Sequence, residues 1–145
     1  MPAQFRFLDD VALADSAFEA SGESASELFV AAANAVIETM VNPDTVNPVR
    51  TWQLDRREDN LEALLFEWLS HIVYLKDAEG ILFRDAEAHV TQLPSGSWEL
   101  KGRLRGEAID SNHHELHADV KAVTKHLYRV QQAEHRWTAR VVLDI

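Results

Sequence analysis

Apolar and polar positions change period repeatedly along the chain, and each change marks an element. A short strand is expected at residues 4–8, followed by an irregular acidic stretch, Asp9-Asp-Val-Ala-Leu-Ala-Asp15, and a second strand near residues 17–20. From about residue 24 to 41 the period becomes helical. Leu28, Phe29, Ala32, Val36 and Met40 recur on one face, and Ser24-Ala-Ser-Glu27 supplies a capping box. Pro43 and Pro48 end that helix, because proline lacks the N–H that would continue it. An extended piece carrying Trp52 and Leu54 leads to Asp59-Asn-Leu-Glu62. A second helix can start there, with Leu61, Leu64, Leu65, Trp68, Leu69, Ile72 and Leu75 on its buried side and Gly80 as its stop.

From Ile81 onward the period is two, and four long strands joined by turns are expected, the first turn at Pro94-Ser-Gly96. Trp98, Leu100, Gly102 and Leu104 alternate with Glu99, Lys101, Arg103 and Arg105, as in an antiparallel sheet with one packed and one wet face. Val120, Ala122, Thr124, His126, Tyr128 and Val130 alternate likewise. In the final stretch Trp137, Ala139, Val141 and Leu143 alternate with Thr138, Arg140, Val142 and Asp144, the pattern of a half-buried strand. Two helices and then a run of strands predict an α+β, two-layer domain in which two helices pack on a largely antiparallel sheet. Residues 1–145 are read as a single domain, since the length fits one core and no repeat or linker interrupts it.

Charge narrows the function classes. With 14 Lys and Arg against 24 Asp and Glu, the net charge of −10 repels phosphate backbones, so strong direct nucleic-acid binding is not expected and a basic protein partner or a hard cation is. The absence of cysteine excludes disulfides, thiolate catalysis and cysteine-ligated zinc. No run of about 18 apolar residues offers a membrane span, and the opening Met-Pro-Ala-Gln-Phe-Arg-Phe lacks the regions of a signal peptide. A soluble, cytoplasmic protein is expected.

Candidate chemistry gathers at the last two residues. Asp144 and the α-carboxylate of Ile145 place two negative groups side by side on a strand that the alternation docks against the core. At a separation of about 5 Å they repel by about 3 kcal/mol at an effective dielectric of 20, which favours a bound cation. A solvated end, its carboxylates facing water, is the alternative. Histidines offer a second cluster, with His113, His114 and His117 close together and His126 further on. His113 and His117 have the spacing of two ligands on a helix face, but His114-Glu-Leu-His117 is one residue short of the metalloprotease pattern and lacks a third ligand of obvious spacing. The expectation is that His114 packs or hydrogen-bonds, His113 and His117 are solvated, and His126 sits in the core. A Gly-rich phosphate loop, a nucleophile elbow and a serine triad are all missing. Lys101, Arg103 and Arg105 make a short basic face that is expected to be solvated.

Phe7-Leu8, Ala14-Asp15, Glu27-Leu-Phe29, Met40-Val41, Glu79-Gly-Ile-Leu-Phe83, Gly106-Glu107, Asp110, His114-Glu-Leu116, Val120-Lys-Ala-Val-Thr124, His126 and Asp144-Ile145 together resemble the archease family, in order and at compatible spacing from end to end. The resemblance implies an accessory protein, an activator or chaperone, for an RtcB-type RNA ligase, which joins RNA ends in tRNA splicing and RNA repair through a guanylylated histidine. It implies promotion of ligase guanylylation and multiple turnover rather than enzymatic activity of its own. It also implies a divalent-metal site made by an aspartate after the first strand and the carboxy-terminal Asp-Ile pair, here Asp15, Asp144 and Ile145, with Lys121 as a further functional candidate. An oxygen-only ligand set of this kind suits Ca²⁺ or Mg²⁺ rather than zinc or copper.

The chain departs from the family pattern in one loop. The usual Glu-His-Thr-Ala-Asp followed by Ile-Gly reads here Val11-Ala-Leu-Ala-Asp15-Ser-Ala, and two extra residues from Asp9-Asp10 precede it, so Asp9 or Asp10 is an alternative to Asp15 as ligand. Lys125 stands where the family often has an aromatic residue. Two other functional classes compete with the accessory role: a stand-alone metal-dependent phosphoesterase, for which a general base and a cationic clamp are missing, and a purely structural adaptor.

Overall fold

Among the described residues, side-chain caps set where two α-helices begin. In the computed structural model, which describes residues 3–8 and 15–145 with the side chain of Asp15 excepted, Ser24 Oγ accepts the Glu27 N–H at 3.1 Å and helix α1 runs Ala25–Met40. The Glu27 carboxylate reaches back to the Glu23 N–H at 3.0 Å, one residue beyond the reciprocal bond of an ordinary capping box. Asn60 Oδ1 accepts from Ala63 N–H at 2.8 Å and starts α2, Leu61–Glu79. Gly80 ends α2 in the left-handed region at φ 65°, where glycine carries no Cβ penalty.

The strands are β1 (Gln4–Leu8), β2 (Asp15–Gly22), β3 (Arg50–Glu58), β4 (Ile81–Gln92), β5 (Trp98–Ala108), β6 (Ala122–Ala133) and β7 (Arg136–Asp144). The α+β class is as expected, but among the described residues the strands divide into two antiparallel sheets instead of one, in the orders β1-β2-β7-β6 and β3-β5-β4. The helices join them. Helix α1 packs on β4 of one sheet and on β1, β2 and β7 of the other, and α2 packs on β6 as well as on β3, β4 and β5. Being covered from several sides, α1 is buried around most of its circumference, and Ala31, Ala32, Ala33 and Ala35 let the strands approach closely. Among the described residues no helix is long and apolar enough to cross a membrane.

Trp68 of α2 is the largest fully buried side chain. Its indole N–H donates to the Phe29 carbonyl of α1 at 3.0 Å, and its ring lies where a Cβ on Gly102 of β5 would stand, 2.5 Å from Cζ3. The small residue on the inward face of β5 therefore makes room for the tryptophan that ties the helices to the second sheet.

Strand β6 differs from expectation. Its register against β7 shifts between Thr124 and Arg129, and Leu127 adopts φ 55°. The bulge breaks the period of two, so Val123 is buried while Ala122 is exposed, and His126 is exposed rather than a core histidine. Lys125, beside it, lies over the Phe66 ring at 4.9 Å. On β5 Lys101 and Arg103 are exposed, as expected of a solvated face, while Arg105 Nε donates to Asp85 at 2.8 Å and Arg103 lies 3.6 Å from Glu87 across the sheet.

Candidate functional site

The alternation that docks the last strand also fixes which residues meet at its end. Strand β7 is the central partner of β2 and β6, and its register sets Asp15 opposite Asp144 on one side and Ala122 opposite Asp144 on the other. The Lys121 N–H donates to the Asp144 carbonyl at 2.7 Å. Val141, Val142 and Leu143 are fully buried, whereas Asp144 is exposed and Ile145 is 37% exposed. The strand is thus held against the core up to residue 143, and the final two residues emerge at the surface beside positions 15 and 121. Asp15, Lys121 and the adjacent pair Asp144 and Ile145, three places far apart in sequence, come together at one end of one sheet. Asp9 and Asp10 lie outside the described residues.

The donor types at this end are carboxylate oxygens, which fit a hard divalent cation whose remaining positions are filled by water. Neither imidazole nor sulfur is contributed by Asp15, Asp144 or Ile145, so the set is a poor match for the softer transition metals.

The histidine block is built differently. Residues 110–113 form a turn rather than a helix, so His113 and His117 do not share a helix face. His114, its side chain fully buried, accepts the Asp110 N–H on Nδ1 at 3.0 Å. Its proton must then sit on Nε2, which donates to Glu107 Oε2 at 2.9 Å. The same oxygen accepts the Asn47 N–H at 2.7 Å. The Asn47 N–H, and after it the His114 ring, hold the Glu107 carboxyl below the usual glutamate range. His113 Nε2, half-exposed, lies 3.8 Å from that oxygen.

Glu107, His113 and His114 thus present ligand-type atoms within 4.8 Å of one another. Chemistry argues against a metal there. A metal on His114 Nε2 would force the ring proton onto Nδ1, where it would face a backbone N–H instead of an acceptor. The cluster is a hydrogen-bonded brace between the end of β5 and the 110–114 turn.

His117 serves another end. Its Nδ1 donates to the Glu38 carbonyl at 2.7 Å and its Nε2 to Glu115 at 3.1 Å, while the backbone N–H groups of His117 and Ala118 donate to the Met40 and Thr39 carbonyls. With the Val41 N–H on the Ile37 carbonyl, the four last carbonyls of α1 are all satisfied. The Glu38 carbonyl, then Glu115, raise the His117 pKa, as suits an imidazolium at the negative end of a helix. Glu107 enters the sequence reading only as part of the Gly106-Glu107 segment, which carries no sign of its bracing role, and the capping role of His117 is missed because its partners at residues 38–40 lie far away in sequence.

The archease protein family model matches residues 5–145. A protein archease of Methanopyrus kandleri is 33% identical over 132 residues, covering 91% of this chain and 94% of that one. The solution structure of Methanobacterium thermoautotrophicum protein 1598 superposes with a TM-score of 0.84 at 30% identity, covering 97% of this chain and 98% of the other. A crystal structure from Thermotoga maritima, described as an archease and possible chaperone, shares the fold with a TM-score of 0.61 at 21% identity over 97% of this chain and 98% of that one. Matched across nearly all of its length by the family model and by relatives that it covers almost completely, this chain belongs to the archease family.

Proposed function

We propose that this protein is an accessory factor of an RtcB-type RNA ligase in the cytoplasm, promoting ligase guanylylation and multiple turnover in tRNA splicing or RNA repair without catalysing a reaction itself. Family membership supports the accessory role, and one observation supports the site: the β2–β7 register that puts Asp15 across from Asp144 beside Ile145. Asp15, Asp144 and the Ile145 carboxylate would hold Ca²⁺ or Mg²⁺. Bound there, the cation supplies positive charge for the triphosphate or metal chemistry of the ligase. The protein's own part is to keep acidic oxygens on a rigid support, since the strand ending at Asp144 is paired on both sides and buried to Leu143. Lys121 flanks the pair as an exposed cation available to phosphate or to acidic groups of the partner.

The test is a ligase guanylylation assay with Asp144→Ala and with one residue added after Ile145, which moves the α-carboxylate away. Both variants are expected to lose most of the stimulation while remaining folded. Full stimulation by both would refute the site. Retained ligase binding with unchanged ligase activity would point instead to a structural adaptor.

A further inference from the structure

We propose that Lys76 is a positioning residue for the cation site, fixing the main chain of Asp144 through the single peptide group that joins Val120 to Lys121. The inference rests on the site proposed above, and it adds a residue from a different element. Lys76 lies in the last turn of α2 with its side chain only 9% exposed. Its ammonium donates to the Val120 carbonyl at 2.7 Å and also meets the carboxylates of Asp119 and Asp77. Three acceptors use all three ammonium protons, so this lysine is committed to structure and is not a free base. Burial opposes its charge, but the bonds to Asp119 and Asp77 outweigh burial and leave its pKa raised.

The Val120 carbonyl and the Lys121 N–H are the two ends of one peptide unit. The carbonyl end accepts from Lys76, and the N–H end donates to the Asp144 carbonyl at 2.7 Å. A cation on the carbonyl polarises the peptide and strengthens the bond that its N–H makes on the other side. Val120 is fully buried, so the unit cannot turn to water in exchange. A relay of two hydrogen bonds thus runs from the end of α2 to the backbone of the proposed ligand residue. Deletion of outer residues that orient ligands lowers metal affinity by about 10- to 100-fold.

The relay and a bare charge effect predict opposite signs. A buried ammonium near a cation site repels the cation, so if charge were all that mattered, removing it would tighten Ca²⁺ binding. Positioning predicts weakening. The experiment compares the wild-type protein with Lys76→Met, Lys76→Gln and Asp144→Ala by calorimetric Ca²⁺ titration and by hydrogen exchange of the Lys121 amide.

Lys76→Met is expected to weaken Ca²⁺ binding about tenfold or more and to speed Lys121 amide exchange. Lys76→Gln, which keeps an N–H donor for the Val120 carbonyl, should recover part of both, and it serves as the readable variant if Lys76→Met does not fold. Asp144→Ala should abolish Ca²⁺ binding while leaving Lys121 protected. Unchanged Lys121 exchange in folded Lys76→Met, or Ca²⁺ binding as tight as or tighter than wild type, overturns the proposal. Absence of Ca²⁺ binding by the wild type sinks the cation reading separately, and Lys121 exchange then still decides whether Lys76 positions Asp144.

Discussion

Replacing Glu107 with alanine removes the acceptor on which the 110–114 turn is braced. His114 Nε2–H then loses its partner inside a fully buried side chain, and the Asn47 N–H loses one at an exposed residue where water replaces it. An unsatisfied buried donor costs about 1–3 kcal/mol, so a loss near 2 kcal/mol is expected. For a domain of this size each kcal/mol moves the midpoint by about 3–4 °C, giving a melting temperature about 6–8 °C lower at neutral pH. The pH dependence follows from the depressed Glu107 carboxyl. A group whose folded pKa lies below its unfolded value stabilises fully above the unfolded value, about 4.3 for glutamate, and the benefit is lost as pH falls through the folded pKa. The gap between wild type and Glu107→Ala should therefore be widest at neutral pH and close in acid. Thermal melts followed by circular dichroism at several pH values measure it. A midpoint unchanged at pH 7 would refute the brace. So would a rise in the wild-type midpoint on adding Zn²⁺ that Glu107→Ala abolishes, because the tautomer argument leaves no place for the metal.

Gly102→Ala drives a methyl into the Trp68 ring and should destabilise by about 1–3 kcal/mol, with Trp68→Phe on that background restoring part of the loss in a double-mutant cycle of thermal melts. NMR titration of His117 should give a pKa above the ordinary histidine value. Its stabilising contribution is complete below the unfolded pKa, about 6.5, and is lost as pH rises through the folded one; a pKa at or below the ordinary value would contradict the imidazolium bridging Glu38 and Glu115. A chelator should leave the far-ultraviolet circular dichroism and the cooperative melt intact, since the core of both sheets is apolar and needs no metal; unfolding on chelation would show the cation to be structural.

Local chemistry made the helices legible in the sequence. Ser24, Asn60 and Gly80 act through atoms within a few residues of themselves, and the periodicity of α2 matches the face it buries, whereas α1 buries Ala31, Ala33, Ala35 and Ile37 beyond its expected face. Strand β5 is equally readable because its alternation is regular, whereas β4 shifts register between Phe83 and Asp85 and β7 buries Val142 together with Val141 and Leu143 instead of leaving it on the wet face. In β6 one residue at φ 55° shifts the register, and nothing in Lys125-His126-Leu127 announces a bulge, so alternation alone assigns the wrong inward face and puts His126 in the core. The division into two sheets was not legible, because it depends on β3 choosing β5 and β2 choosing β7 across long stretches of chain. The same holds for the candidate site. Its residue types were visible at the chain end and through the family resemblance, but the pairing of position 15 with 144, and the link from Lys76 through Val120, exist only after the sheet has formed.

The proposed cation site is the end of β7, where Asp15 stands opposite Asp144. Calcium titration of the uniformly labelled protein, followed by two-dimensional NMR, decides whether the ion binds there. Saturable shifts confined to the amides around residues 15–16, 121–122 and 143–145, which disappear in Asp144→Ala, are expected. Shifts spread evenly over the acidic surface, or localised shifts that survive Asp144→Ala, would contradict binding at this site.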